Sequence, residues 1–323
     1  MAAFIVRRLA WMVLVMFAIS VLVFAIFFLT PGVDPARQMA GRNPTPQTIA
    51  SIRSEFGLDK PRPVQYAEMM NHLLIARDLV SYTNRGLPVI PQLRRAAPVT
   101  LCLVFGAALI WVVMSVVIGL LAVVLKGSIW DPIIMIVALI GISAPVFWLG
   151  QVANMATQSK WHDTPFFSWV PPLGYTSFTT SPTQWFQHLI IPWIVLAIGF
   201  AGLYGRVLRA DVLAMQNEDF VRTARAKGLT GRRVMFRHVL RNSMITYISL
   251  FGLDFAALVG GGVLLTEVVF GLPGIGQLTY QSLSSLDLPV IMATVIYGAF
   301  FITLASALVD IGYAYLDPRI RLN

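Results

Sequence analysis

A chain of 323 residues that is 57% hydrophobic and only 12% charged, with a mean hydropathy of +0.74, does not read as an ordinary water-soluble domain. Its formal charge of +9 does not point to nucleic acid, because the lysines and arginines cluster at the ends of apolar runs rather than on a soluble face. A single cysteine, Cys102, inside an apolar run excludes a disulfide framework or a cysteine metal site within the chain.

A helix needs about 20 apolar residues to cross the hydrocarbon core. Six stretches qualify: 9–29, 100–125, 132–157, 188–209, 244–266 and 289–312. The expected fold is therefore all-α, a polytopic membrane protein with six transmembrane helices. Residues 1–29 hold the N-terminus and first span, 30–98 a long extracytoplasmic segment, 99–312 a core of five spans, and 313–323 a cytoplasmic tail. Arg7 and Arg8 precede the first run as in a signal peptide, but the run is too long and no small-residue cleavage site follows. It reads as an uncleaved first span.

An even number of spans puts both termini on one side. With the N-terminus inside, fourteen lysines and arginines lie inside and ten outside. Nine of those ten fall in 30–98, where long loops translocate largely regardless of charge, so the short loops place both termini in the cytoplasm.

Within 30–98, Thr45-Pro46 starts a helix with Ile49, Ile52 and Phe56 on one face and Gly57 at its end. Tyr66, Met69, Met70, Leu73 and Leu74 form a second stripe, expected to pack over the bundle. The loop 158–187 carries Trp161, Phe166, Phe167, Trp169, Pro171 and Pro172, which read as interfacial anchors.

Between the fourth and fifth spans lies a short helix over 217–229. Asn217 suits the N-cap, Glu218 and Asp219 the first turn, Arg225 and Lys227 the last turn, and Gly228 the C′ position. About ten residues, or roughly 15 Å, is what a membrane subunit presents to a soluble partner.

Asp254 is the charge near the centre of a span and must face a cavity, find a partner or stay protonated. It is either a pathway group or an interhelical hydrogen-bonding group. Gly260-Gly261-Gly262 favours close backbone approach and thus a helix interface. The segment from Glu267 to Leu278, with Phe270, Pro273, Gly274 and Gly276, is too rich in Gly and Pro for one continuous helix and predicts a tight or re-entrant turn.

No phosphate loop, HExxH, GxSxG or Cys/His cluster occurs, and the histidines, His72, His162, His188 and His238, are scattered. Enzyme chemistry is not expected, and neither is a catalytic residue, a metal or a cofactor held by this chain. If transport runs on ATP, another polypeptide hydrolyses it. A secondary transporter would need intramembrane acids and often shows inverted repeats, and Asp254 alone is a poor basis for it. A non-transporting scaffold, with the basic helix binding a signalling partner, is the third reading.

The stretch Asp219-Phe-Val-Arg-Thr-Ala-Arg-Ala-Lys-Gly-Leu229, the loop Glu267 to Leu278 and the tail Leu316-Asp-Pro-Arg-Ile-Arg321 together resemble the dipeptide and oligopeptide branch of ABC importer permeases. The resemblance runs from Arg7-Arg8-Leu9 to the tail. It implies a second homologous permease subunit, two ATP-binding subunits that carry ATP and Mg, an extracytoplasmic substrate-binding protein, a peptide substrate and a bacterial inner-membrane location, with no nucleic acid. It makes 217–229 the coupling helix, with Phe220, Ala224 and Gly228 as groove contacts and helix stop. Glu218, Asp219, Arg222, Arg225 and Lys227 are its polar residues toward the ATPase. Aligned on Gly228, the Glu-Ala-Ala of many ABC importers falls on Arg222, Thr223 and Ala224, so only the second Ala is kept. Glu267 to Leu278 resembles the scoop of relatives. Where relatives carry Gly-Asp-Leu-Gly, this chain reads Arg77-Asp-Leu-Val80.

Overall fold

The computed structural model describes residues 2–29, 36–37, 40, 45–55, 57–84, 86–159 and 161–316. Phe56 of the first amphipathic stripe and the tail arginines Arg319 and Arg321 lie outside them. Among the described residues there is no β-strand, only an isolated antiparallel bridge between Val80 and Pro88.

The elements run in order: α1 (Ala2–Leu29), α2 (Pro46–Glu55), α3 (Arg62–Met70, continued by a π-turn over Asn71–Ala76), α4 (Val89–Val124), α5 (Trp130–Ser143), α6 (Val146–Gln158) and α7 (Pro182–Met215). Then come α8 (Asp219–Ala226), α9 (Gly231–Gly262, with π-turns at Met235–Val239 and Leu258–Gly262), α10 (Leu264–Phe270), α11 (Ile275–Ser285) and α12 (Leu288–Leu316). Among the described residues, α1, α4, α7, α9 and α12 are long and apolar enough to cross a membrane, and α5 with α6 makes a sixth span only if a bent pair counts as one.

The stretch 132–157, expected as the third span, is thus a bent pair of helices. The two helices meet at 96°. Pro145 crowds the residue before it out of the helical region, and Ala144 is extended at φ −82°, ψ 125°. Pro145 then occupies the N-cap of α6. The signal was present in the sequence as a lone proline inside an apolar run.

The chain divides into two compact units. One comprises Met1–Thr100, Ala256–Leu264 and Pro273–Asn323. In it, α1 and α11 pack on α12, and α3 packs on α1. Met69 and Leu73 from the second amphipathic stripe join Val23, Phe24, Leu288, Ile291 and Met292 in a buried core, with Tyr66 and Met70 against its edge. Tyr66 also meets Ser20 by a hydroxyl pair at 2.6 Å. Leu74 departs from the expected stripe and is exposed, because the π-turn shifts the register after Met70. In α2, Pro46 is the first helical residue, Thr45 Oγ1 accepts from the Thr48 amide at 3.2 Å, Ile52 is buried, and Gly57 follows at φ +62°.

Arg77 is left-handed at φ 60°, a conformation that costs a side-chain-bearing residue roughly 1–2 kcal/mol. Next to it, His72 Nδ1 and Asp78 Oδ1 lie 2.7 Å apart, and the hydrogen bond with His72 holds the Asp78 carboxyl below its ordinary range.

From there the chain enters a buried clasp. Ser81 Oγ donates to Asp287 Oδ2, and the Tyr82 amide donates to Asp287 Oδ1 at 3.0 Å. Burial, with a smaller contribution from the Asp287 charge, pushes the Tyr82 phenol up to about 12. Asp287 thus ties the segment before α4 to the corner between α11 and α12. Asp287→Ala strands two buried donors, and its expected cost is on the order of 3 kcal/mol. A lowered melting temperature in detergent, together with faster proteolysis near residues 78–88, checks it, and Asp287→Asn retains part of the loss.

The other unit comprises Leu101–Phe255 and Leu265–Leu272. Here α5 and α6 pack on α7. The α5/α7 crossing is close: a Cβ on Gly202 would lie 2.4 Å from the Ala138 carbonyl oxygen. At one end of the pair, Arg209 grips Asp131 with two parallel bonds, Nε to Oδ1 at 2.9 Å and Nη2 to Oδ2 at 2.7 Å, a geometry that satisfies a largely buried carboxylate. Inside the unit, Trp111 packs on Phe200, Tyr204 and Phe251, all with ring centroids within 4.9 Å.

Candidate functional site

The short helix predicted over 217–229 forms as α8, eight residues from Asp219 to Ala226. Its N-cap is Glu218, not Asn217, and no side chain caps it. Asn217 instead donates through Nδ2 to the Leu213 carbonyl at 3.3 Å, finishing the end of α7. Asp219 alone occupies the first turn, where its charge complements the helix dipole. Its 3.3 Å ion pair with Arg222 is fully exposed and contributes little.

The C-terminus follows the local reading closely. Lys227 is the C-cap, and Gly228 takes φ +74° at C′. The Gly228 amide bonds to the Arg225 carbonyl at 2.9 Å and the Leu229 amide to the Ala224 carbonyl at 3.3 Å, the paired bonds of a Schellman stop. These bonds satisfy carbonyls that the end of a short helix otherwise leaves to water.

Burial divides the helix more sharply than sequence spacing did. Val221 and Ala224, three apart, face inward and are buried by the chain itself, and α8 packs beside the start of α9. Phe220, paired with Ala224 at i,i+4 in the sequence reading, is exposed. Arg222, Arg225, Lys227 and Gly228 are exposed with it. The surface offered outward is thus one aromatic ring flanked by cations, while Ala224 serves the seating of the helix. The missed signal was Val221, an apolar residue among polar neighbours.

The Glu267–Leu278 segment is a helix–turn–helix, α10 and α11 joined across Gly271 to Gly274. Gly271 is left-handed at φ +64°, and the Leu272 amide closes onto the Glu267 carbonyl at 2.8 Å. Glu267, Phe270, Gly274 and Gly276 are buried, whereas Pro273 is exposed. Two anchors hold the helices: Asn154 Nδ2 donates to the Val269 carbonyl at 2.8 Å, and Thr100 Oγ1 accepts from the Ile275 amide at 2.8 Å. Neither anchor was legible in the sequence, since the residues in each pair lie 115 and 175 positions apart.

Asp254 meets Tyr204, whose hydroxyl donates to Oδ2 at 2.6 Å. The bond joins α7 to α9. Tyr204→Phe removes that donor at a buried position, with an expected loss of about 1–3 kcal/mol. The double variant Tyr204→Phe with Asp254→Leu recovers most of it, because replacing both partners leaves nothing unpaired. Melting temperatures in detergent for the singles and the double measure the coupling.

Residues 115–322 match the family model of the binding-protein-dependent transport system inner membrane component, and residues 1–95 match the N-terminal model of such components. The chain belongs to this family. Its matches include a Brucella abortus (strain 2308) protein named as a peptide transport system permease, at 35% identity with both chains covered completely. Another is the di/tripeptide transport system permease protein DppB of Pseudomonas aeruginosa (strain UCBPP-PA14), at 35% identity over 99% of each chain. The dipeptide transport system permease protein DppB of Escherichia coli (strain K12) is 34% identical, again over 99% of each chain. Among solved structures, the inward-facing MetNI methionine ABC transporter matches 71% of this chain and 98% of its own with a TM-score of 0.52 at 16% identity, a likeness of fold. This permease is therefore a multi-pass membrane protein whose role is transport, and the secondary-transporter reading is not favoured.

Proposed function

We propose that this permease moves di- and oligopeptides inward as one of two related membrane subunits, and that α8 is the helix through which ATP-binding subunits drive it. The observation that carries the reading is α8 itself: a helix seated by Val221 and Ala224, stopped at Gly228, and presenting Phe220, Arg222, Arg225 and Lys227 outward. The names of relatives covering the whole chain support a peptide as cargo.

In this reading both termini and α8 are cytoplasmic, consistent with the short-loop excess of Lys and Arg. An extracytoplasmic binding protein delivers the peptide, so tight binding by this subunit is not required. ATP and Mg reside on the ATPases, and this chain performs no hydrolysis. ATP-dependent closure of the ATPases shifts the balance between two arrangements of the spans, and it can do so only through different contacts in the two. Phe220 and its neighbouring cations supply those contacts at the ATPase surface. Pro273, exposed between α10 and α11, is the residue of that hairpin best placed to meet an incoming partner.

The test is reconstitution of the permease with its co-expressed neighbours in liposomes, with ATP hydrolysis measured in the presence and absence of a peptide-loaded binding protein. Hydrolysis stimulated by the loaded protein is expected. Hydrolysis indifferent to peptide, or uptake driven by a proton gradient without any ATPase, overturns the proposal.

A further inference from the structure

Along the side of the α5/α7 pair runs a groove of about 680 Å³ that the transport reading does not use. Pro132, Met135, Ile136 and Leu139 form one wall, spaced i, i+3, i+4, i+7 on α5. Leu203, Val207 and Ala210 form the other, together with Arg206. Ile136, Leu139 and Leu203 are all more than two-fifths exposed. α7 is long and apolar enough to cross a membrane, and α5 is half of the bent pair that would make the sixth span, so the exposed apolar wall suits hydrocarbon or something equally apolar.

Arg206 is the anomaly in that wall. It is exposed, and it has no hydrogen-bond or ion-pair partner among the described residues. Asp131, on the facing helix, is already taken, because it receives both bonds of Arg209. Arg206 lies three residues nearer the middle of α7 than Arg209, about 4.5 Å along the axis. With no partner among the described residues, this guanidinium beside an apolar groove is a ready acceptor site for an anion, and its long stem lets the head reach toward the headgroup level. That level is marked by the Asp131–Arg209 pair, by exposed Trp130 and by exposed Lys126.

We infer that this groove is a binding site for an anionic phospholipid, its acyl chain lying between α5 and α7 and its phosphate on Arg206. Charge and shape point to the same occupant. The apolar wall accepts a chain, and the free cation discriminates an anionic headgroup from a net-neutral one. None of the groove's lining residues belongs to α8.

The experiment is native mass spectrometry of the full-length permease after delipidation and incubation with phosphatidylglycerol or phosphatidylcholine. Retention of phosphatidylglycerol over phosphatidylcholine by about fivefold is expected, the preference that one basic residue near a membrane surface supplies. Arg206→Gln brings the ratio close to one, and Arg206→Lys restores part of it. Ala210→Trp keeps the charge, fills the groove and lowers retention of both lipids, which keeps the proposal testable if Arg206→Gln does not fold. Equal retention of the two lipids by the wild type overturns the inference, as does a preference unchanged in Arg206→Gln. A co-purifying protein lost in Ala210→Trp, with lipid retention unaltered, also overturns it and makes the groove a protein interface.

Discussion

Gly228→Pro is expected to lower peptide-stimulated ATP hydrolysis of the reconstituted assembly at least tenfold while leaving the subunits together. The wild-type residue sits at φ +74°, and its amide donates to the Arg225 carbonyl at 2.9 Å. Proline fixes φ near −65° and has no amide hydrogen, so it fails on both counts. It also pushes Lys227, now at φ −76° and ψ 6°, toward extended backbone. The last turn of α8 must then unwind, and Phe220 and its neighbouring cations lose their fixed relation to the rest of the chain.

Gly228→Ala separates backbone conformation from steric fit. Nothing lies within 4 Å of a Cβ at this position, so the substitution meets only the left-handed penalty of roughly 1–2 kcal/mol. A partial loss, about fivefold, is expected from it. Size-exclusion chromatography confirms assembly for each variant before hydrolysis is compared. Undiminished stimulation in the proline variant would exclude α8 as the coupling element.

The second large effect is expected at Gly298. A Cβ there would stand 2.2 Å from the Gly260 carbonyl oxygen, and one on Gly260 would stand 2.8 Å from Ile302 Cγ1. The 2.2 Å obstacle is backbone, which cannot rotate aside as a flexible side chain does. Gly298→Ala must separate α12 from the π-turn of α9, with an expected loss of about 1–3 kcal/mol, and Gly298→Val more than that. Sharply reduced yield of monodisperse protein and a lower melting temperature are the readouts. Gly231→Ala serves as the control, since a Cβ there meets nothing within 4 Å, and its effect is expected to stay within about 0.5 kcal/mol. Equal melting temperatures for the Gly298 and Gly231 variants would refute the close-packing argument.

Of the two glycines, the sequence singled out Gly228 and not Gly298, which emerges only as the neighbour of Gly260. Gly228 was legible because a helix stop is a local event: Asp219 at one end, Arg225 and Lys227 at the other, and the left-handed tolerance of glycine all lie within ten residues. Gly260-Gly261-Gly262 announced a close approach, but its partner was not visible. Gly298 lies in another span, and glycine alone does not say which surface it meets.

The fold class and the number of apolar runs followed from the sequence because transfer of each run into hydrocarbon depends on its own composition and length. The C-terminal stop of α8 and the start of α2 at Pro46 followed because helix stops and proline geometry are settled within a turn of helix. The bend at Ala144–Pro145 belonged to the same class of information, a proline inside an apolar run.

Tertiary structure alone decided which face of α8 is seated, with Val221 and Ala224 inward and Phe220 exposed. It also decided that Asp254 meets Tyr204, that Asp287 holds Ser81 across 206 positions, and that Arg206 has no partner among the described residues while Arg209 takes Asp131. The physical reason is the range of the interaction. Hydrophobic partition and backbone capping are properties of contiguous residues, whereas a buried carboxylate's partner, or a cation's lack of one, depends on which distant helices the packed chain brings side by side.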